Sequence, residues 1–150
     1  MNGAYVGESG INALVMAHYG TPIALVSGDR VTAEEAAPFA PDAVSVLTKE
    51  SITRGAALNL HPAESAELIR AAAEEAVRRV AAGGVHAPAV DRPAALDLEF
   101  ATGDMADIAT WARGTERTGE RTARIAGDDL LGVYRSFVAV SYLTRQVGGR

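Results

Sequence analysis

The chain has 150 residues, 48% of them hydrophobic and 22% charged, with a net charge of −5. That balance excludes disordered and collagen-like classes, and the absence of a basic run argues against a nucleic-acid partner. There are no cysteines, so disulfides and thiolate chemistry are excluded. No apolar run approaches the roughly 20 residues that a membrane span needs. A cytoplasmic home is the expectation.

The opening Met1-Asn2-Gly3-Ala4-Tyr5-Val6-Gly7-Glu8-Ser9-Gly10 lacks the basic and apolar regions of a signal peptide. It reads as a chain that begins partway into a fold. Ile11, Leu14, Val15 and His18 share one face at helical spacing, which predicts a helix from near Glu8 to a stop at Gly20. Ile23-Ala24-Leu25-Val26 is a short unbroken apolar run, the pattern of a strand buried on both faces in a parallel sheet. It leads into Ser27-Gly28-Asp29.

Thr32 with Glu35 fits a capping box, so a short helix is expected over Ala33 to Phe39. Ala43 to Leu47 is a second strand candidate. Lys49 to Leu58 reads as a loop into a short helix. His61-Pro62 opens the clearest helix, with an apolar stripe of Ile69, Ala72, Ala73, Ala76, Val77 and Val80. Glu67, Arg70, Glu74 and Arg78 lie on its other side at ion-pair spacing. Gly83-Gly84 closes it.

Residues 85–93 hold two prolines and no period, and are read as a linker. Leu96, Leu98 and Phe100 alternate with Asp97 and Glu99, a half-exposed strand. A helix is expected from Asp104 to Trp111 and a strand from Arg117 to Ala126. Asp128 can cap a final helix, with Leu130, Leu131, Tyr134, Phe137, Val138 and Tyr142 as its face. The expected fold class is α/β: an incomplete three-layer α/β portion over 1–84, then a small β-α-β-α module over 94–150.

Few residues point to chemistry. Glu8 sits between Gly7 and Gly10 at a helix start. It suits either a divalent cation, with small neighbours that open the backbone to a ligand, or the helix dipole. Asp29 follows a buried strand at its carboxyl end, where open α/β sheets bind ligands. The other reading of Asp29 is an Asx turn. Lys49 and Arg54, next to hydroxyl residues, can hold a carboxylate or developing oxyanion, or can sit on a solvated loop. His18, His61 and His86 show no metal-ligand spacing and are assigned to no metal. No nucleophile elbow or phosphate loop is present.

The order of short motifs adds what these residues alone do not. Val6-Gly7-Glu8-Ser9-Gly10-Ile11-Asn12-Ala13 resembles the G-E-x-G-x-N-A segment of the D-aminopeptidase family, also called the dipeptide-transport-protein A family. Pro22 to Val26 and Ser27-Gly28-Asp29 follow in the family's order. Lys49-Glu50-Ser51-Ile52-Thr53-Arg54 is similar to its K-x-[ST]-I-[ST]-R block. Asp91-Arg92-Pro93 and Glu99-Phe100-Ala101 are family-like as well. The resemblance covers essentially the whole chain.

Members are two-zinc metallopeptidases that release N-terminal D-amino acids from short peptides and assemble as ring-shaped homodecamers. The resemblance implies that Glu8 ligates zinc and that Asn12, Lys49 and Arg54 lie near the substrate pocket. It also implies that this is the C-terminal part of the family fold. The D-x-E-G segment, the other ligands and the catalytic histidine of the family have no match here. One carboxylate cannot build a zinc site, so the chain alone is expected to be inactive. The competing expectations are a non-catalytic assembly or small-ligand-binding module of the same fold, and an unrelated amino-acid-binding α/β protein.

Overall fold

The computed structural model describes residues 1–90 and 93–148. Asp91 and Arg92, part of the expected linker and of one family-like block, lie outside the described residues. The chain divides into two compact units. One is Val6–Ala89; the other joins Met1–Tyr5 to the segment from Val90 onward.

The first unit opens with α1 (Glu8–His18), which buries Ile11, Ala13 and Leu14. Gly20 adopts a φ of +72° just past its end, a left-handed stop that glycine reaches without strain. Strand β1 spans Leu25–Gly28, two residues beyond the expected run, because its pairing partner begins opposite Leu25. That partner, β2 (Val44–Leu47), runs parallel to it, from Leu25 opposite Val44 to Gly28 opposite Leu47.

The crossover between these strands is α2 (Arg30–Ala36), as a parallel pair requires. It starts earlier than the capping box suggested. The N-cap is Asp29, whose Oδ1 accepts the Thr32 N–H at 2.8 Å. Thr32 therefore lies inside the helix. The Asp29-x-x-Thr32 cap, one turn earlier, wins over Thr32-x-x-Glu35.

The segment read as a loop into a helix is a β-hairpin. Strand β3 (Lys49–Thr53) pairs antiparallel with β4 (Ala56–Asn59), and the register shifts between Ser51 and Thr53. Arg54-Gly55 forms the two-residue turn. Ile52 and Thr53 favour extended backbone, and Gly55 ends the run before a helix nucleates.

Helix α3 (Pro62–Ala81) packs against β1 and β2. Its buried residues are Ala72 and Ala76, one turn apart. Small side chains here let the helix sit close to the sheet. The expected stripe is too wide: Val77 is 68% exposed and Val80 49%. Glu67 pairs with Arg70, and Glu75, rather than Glu74, pairs with Arg78 at 2.6 Å and Arg79 at 2.9 Å.

The second unit contains β5 (Ala94–Glu99), α4 (Gly103–Ala109), β6 (Thr115–Arg117), β7 (Thr122–Gly127) and α5 (Leu130–Gly148). Its sheet has the order β5-β7-β6, antiparallel throughout. The strand expected over Arg117 to Ala126 is two strands, because the chain turns after Arg117 with the Thr118 N–H bonded to the Thr122 carbonyl. The module is thus β-α-β-β-α.

Ala94, Leu96, Ala123 and Ile125 line the buried face of this sheet, and Leu130, Val133 and Val140 of α5 are buried as well. The face of α5 is rotated from the expected one: Val133 replaces Leu131 at the centre, and Tyr142 is 65% exposed. The residue at its start is Asp129, not Asp128: Asp129 Oδ1 accepts the Gly132 N–H at 2.8 Å. Among the described residues no helix is long and apolar enough to cross a membrane.

Candidate functional site

Glu8 is the first residue of α1 and its side chain is exposed. The N-cap is Gly7, with extended backbone (φ −89°, ψ −176°) and no side-chain cap. A carboxylate in this first turn faces the positive end of the helix dipole. The glycines beside it do not open a path to the backbone. A Cβ on Gly10 would stand 2.7 Å from Phe39 and from Val6, and one on Gly7 would stand 3.2 Å from Glu35 Oε2. Their space is taken by the chain's own side chains.

Asn12 lies one turn beyond Glu8 and is also exposed, while Ile11, Ala13 and Leu14 face inward. Residues four apart on a helix are surface neighbours, so Glu8 and Asn12 share one polar stripe. Lys49 and Arg54 stand at the two ends of β3. Lys49 opens β3, and Arg54 is in the turn that leads to β4; both are exposed. Among the described residues no hydrogen bond or ion pair joins the Glu8–Asn12 stripe to the hairpin.

Asp29 has a structural task that its position after β1 did not reveal. Oδ1 accepts from the Thr32 N–H and from Thr32 Oγ1 at 2.7 Å, and Oδ2 accepts from Ser51 Oγ. These bonds hold the carboxyl well below the usual carboxylate range, Ser51 contributing most, the Thr32 bonds next, and the Lys49 charge adding to them. With both oxygens engaged, Asp29 acts as an Asx cap. Sequence reasoning named Ser51 only within the family-like block and missed its bond to Asp29. No local pattern signals that bond, since Ser51 lies 22 residues away.

The histidines are also engaged structurally. His18 closes α1 with its ring edge against Tyr19, about 15 Å along the helix from Glu8. His61 caps α3, Nδ1 accepting the Ala63 N–H at 3.2 Å. His86 meets Asp42 through both its backbone N–H (3.0 Å) and its ring (2.9 Å). Among the described residues no three His, Asp or Glu side chains gather where they could hold a metal ion. A protein zinc site takes three or four ligands. The residues present therefore do not make a zinc site by themselves.

A family model described as D-aminopeptidase matches residues 1–139. A D-aminopeptidase from Bacillus subtilis (strain 168) is 32% identical over 144 residues, which are 95% of this chain and 52% of that protein. Among solved structures, the Zn-dependent D-aminopeptidase DppA from Bacillus subtilis, a self-compartmentalizing protease, matches with a TM-score of 0.88 at 30% identity. That match covers 96% of this chain and 52% of DppA. The chain spans about half the length of the relatives it matches. Its α/β fold is theirs over that half, and the chain belongs to the D-aminopeptidase family.

Proposed function

We propose that the chain is part of a zinc-dependent hydrolase that releases N-terminal D-amino acids from short peptides, with Glu8 as one metal-ligating carboxylate. The observation that carries this reading is the setting of Glu8. It is an exposed carboxylate in the first turn of α1, beside glycines whose Cβ space is taken by Phe39, Val6 and Glu35, within a chain that aligns along 96% of its length with a Zn-dependent relative. Asn12, Lys49 and Arg54 are its substrate-facing side chains on this reading. On this reading the metallopeptidase core expected over 1–84 is the unit from Val6 onward, and the accessory module over 94–150 also takes residues 1–5, with 85–93 as the linker.

The remaining ligands of a two-zinc site belong to residues outside this chain, because the described residues supply no group of three. On this reading the 150 residues alone are inactive. A ring-shaped homo-oligomer fits the self-compartmentalizing relative. The same shortage of ligands favours a second reading for the chain in isolation: a non-catalytic module of the family fold, serving assembly or small-ligand binding.

Zinc content and D-alanine release from a D-alanyl-D-alanine dipeptide separate the two readings. Both are measured on this chain and on the chain joined to the remaining half of the family sequence. The enzyme reading expects about two zinc ions and cleavage in the joined form only. A joined form with neither leaves the non-catalytic module. Zinc and cleavage in the short chain would assign the site to other residues, with His18 and Asp29 first to be retested.

A further inference from the structure

Neither strand of the β3–β4 hairpin has a buried residue. Apolar packing therefore does not hold it in place. Its attachments are polar and lie near its base. The Thr48 N–H donates to the Gly28 carbonyl at 2.8 Å, and Thr48 Oγ1 donates to the same oxygen at 3.4 Å. Farther along, Ser51 Oγ donates to Asp29 Oδ2.

Asp29 divides its carboxylate between two elements. Oδ1 belongs to α2 through Thr32, and Oδ2 belongs to β3 through Ser51. The helix cap fixes the carboxylate, and the carboxylate fixes the strand. Side chains two apart in a strand leave it on the same face. Lys49 thus projects on the Ser51 side of β3. Its charge is felt at Asp29, which agrees with that placement. The register shifts just after Ser51, so the clamp stands between the fixed base and the irregular stretch that carries Arg54.

We propose that Asp29 is a positioning residue for the candidate site: through Ser51 it sets the orientation of β3, and with it the placement of Lys49 and Arg54. This rests on the reading that Lys49 and Arg54 meet substrate.

Ser51→Ala removes the strand's half of the clamp and leaves the α2 cap intact. Amide hydrogen exchange on the 150-residue chain reads the result. Exchange at the β3–β4 amides is expected to rise about tenfold, as for loss of one hydrogen bond to a charged group, with α2 unchanged. Ser51→Thr, which keeps the hydroxyl, is expected to restore protection. Unchanged hairpin exchange in Ser51→Ala overturns the proposal, and so does equal loosening of α2.

The substrate half is read in the joined form used above. Ser51→Ala and Lys49→Ala are both expected to raise KM for the dipeptide about tenfold, with kcat within about twofold. If Lys49→Ala raises KM and Ser51→Ala does not, the positioning role is wrong. If the hairpin loosens and neither variant moves KM, the fault lies in the substrate role given to Lys49, and the clamp stands without it.

Discussion

The Phe39 ring fills the volume that a side chain on Gly10 would need: an added Cβ would lie 2.7 Å from Phe39 Cδ2. Val6 closes the same space at 2.7 Å. Gly10→Ala is therefore expected to overpack this contact and lower stability by about 1–3 kcal/mol. The check is a urea titration, read as a lower midpoint at unchanged slope. Phe39→Leu in the same background is expected to recover part of the loss, since the contact is with the ring. A Gly10→Ala chain with the parent midpoint would mean that α1 does not rest on Phe39.

Glu8 is exposed, so its structural and metal roles separate cleanly. Glu8→Gln removes only the favourable charge at the α1 N-terminus, worth less than about 1 kcal/mol. Thermal unfolding of the 150-residue chain is expected to change little. Zinc content of the joined form is expected to fall sharply. Retention of full zinc by that variant would remove Glu8 from the ligand set.

The Asp42–His86 contact makes one part of the stability depend on pH. The His86 ring and backbone N–H, in that order of effect, hold the Asp42 carboxyl below its ordinary value of 3.8. A depressed carboxylate favours the folded state above the unfolded pKa, and the benefit is lost as pH falls through the folded value. The midpoint difference between parent and Asp42→Asn is thus expected at pH 5 and should vanish toward pH 2. A difference that persists undiminished at pH 2 would assign the effect to something other than this carboxylate.

Two aliphatic residues, Ile125 inside an expected strand and Val77 in the expected α3 stripe, are expected to behave oppositely. Ile125 is 0% exposed, whereas Val77 is 68% exposed. Ile125→Ala is expected to cost about 2–5 kcal/mol through lost burial and a cavity. Val77→Ala should stay within about 0.5 kcal/mol. Denaturant unfolding of the two variants side by side decides this. Equal losses would mean that Val77 is covered in solution.

The elements with a long, strong period are the ones legible in sequence. α1 declares itself through Ile11 and Leu14 and its stop at Gly20, and α3 through Pro62, twenty helical residues and Gly83. The β1–β2 pair is legible because Ile23 to Val26 is an unbroken apolar run and Val44, Val46 and Leu47 are apolar and mostly β-branched. The hairpin is not, because no residue of β3 or β4 is buried and so no alternation marks a face. The width of the α3 stripe and the rotation of the α5 face also escape the pattern. α3 is rich in alanine and valine and α5 in leucine, valine and aromatics, so each is apolar over a broad arc and only the neighbours choose which part is covered.

The site shows the same limit. Glu8, Asn12, Lys49 and Arg54 stand out through the order of family motifs, not through any local physics. The local reading of Asp29 left a ligand and an Asx turn both open. The turn wins because Thr32 and Ser51 occupy its oxygens, and the second partner is brought there only by tertiary structure. Glu35 beside Gly7 was invisible for the same reason.

The bond pair between Asn2 and Ala95 has a kinetic consequence. The Asn2 N–H donates to the Ala95 carbonyl at 2.8 Å, and the Ala95 N–H donates to Asn2 Oδ1 at 2.7 Å, across 93 residues of sequence. The unit that holds both is therefore discontinuous in the chain, and the continuous unit Val6–Ala89 lies between its pieces. During synthesis, residues 1–5 leave the ribosome long before Ala95 is made. Closing so long a loop is slow relative to local contacts, so the Asn2–Ala95 bonds close after the local pairing of β5 with β7.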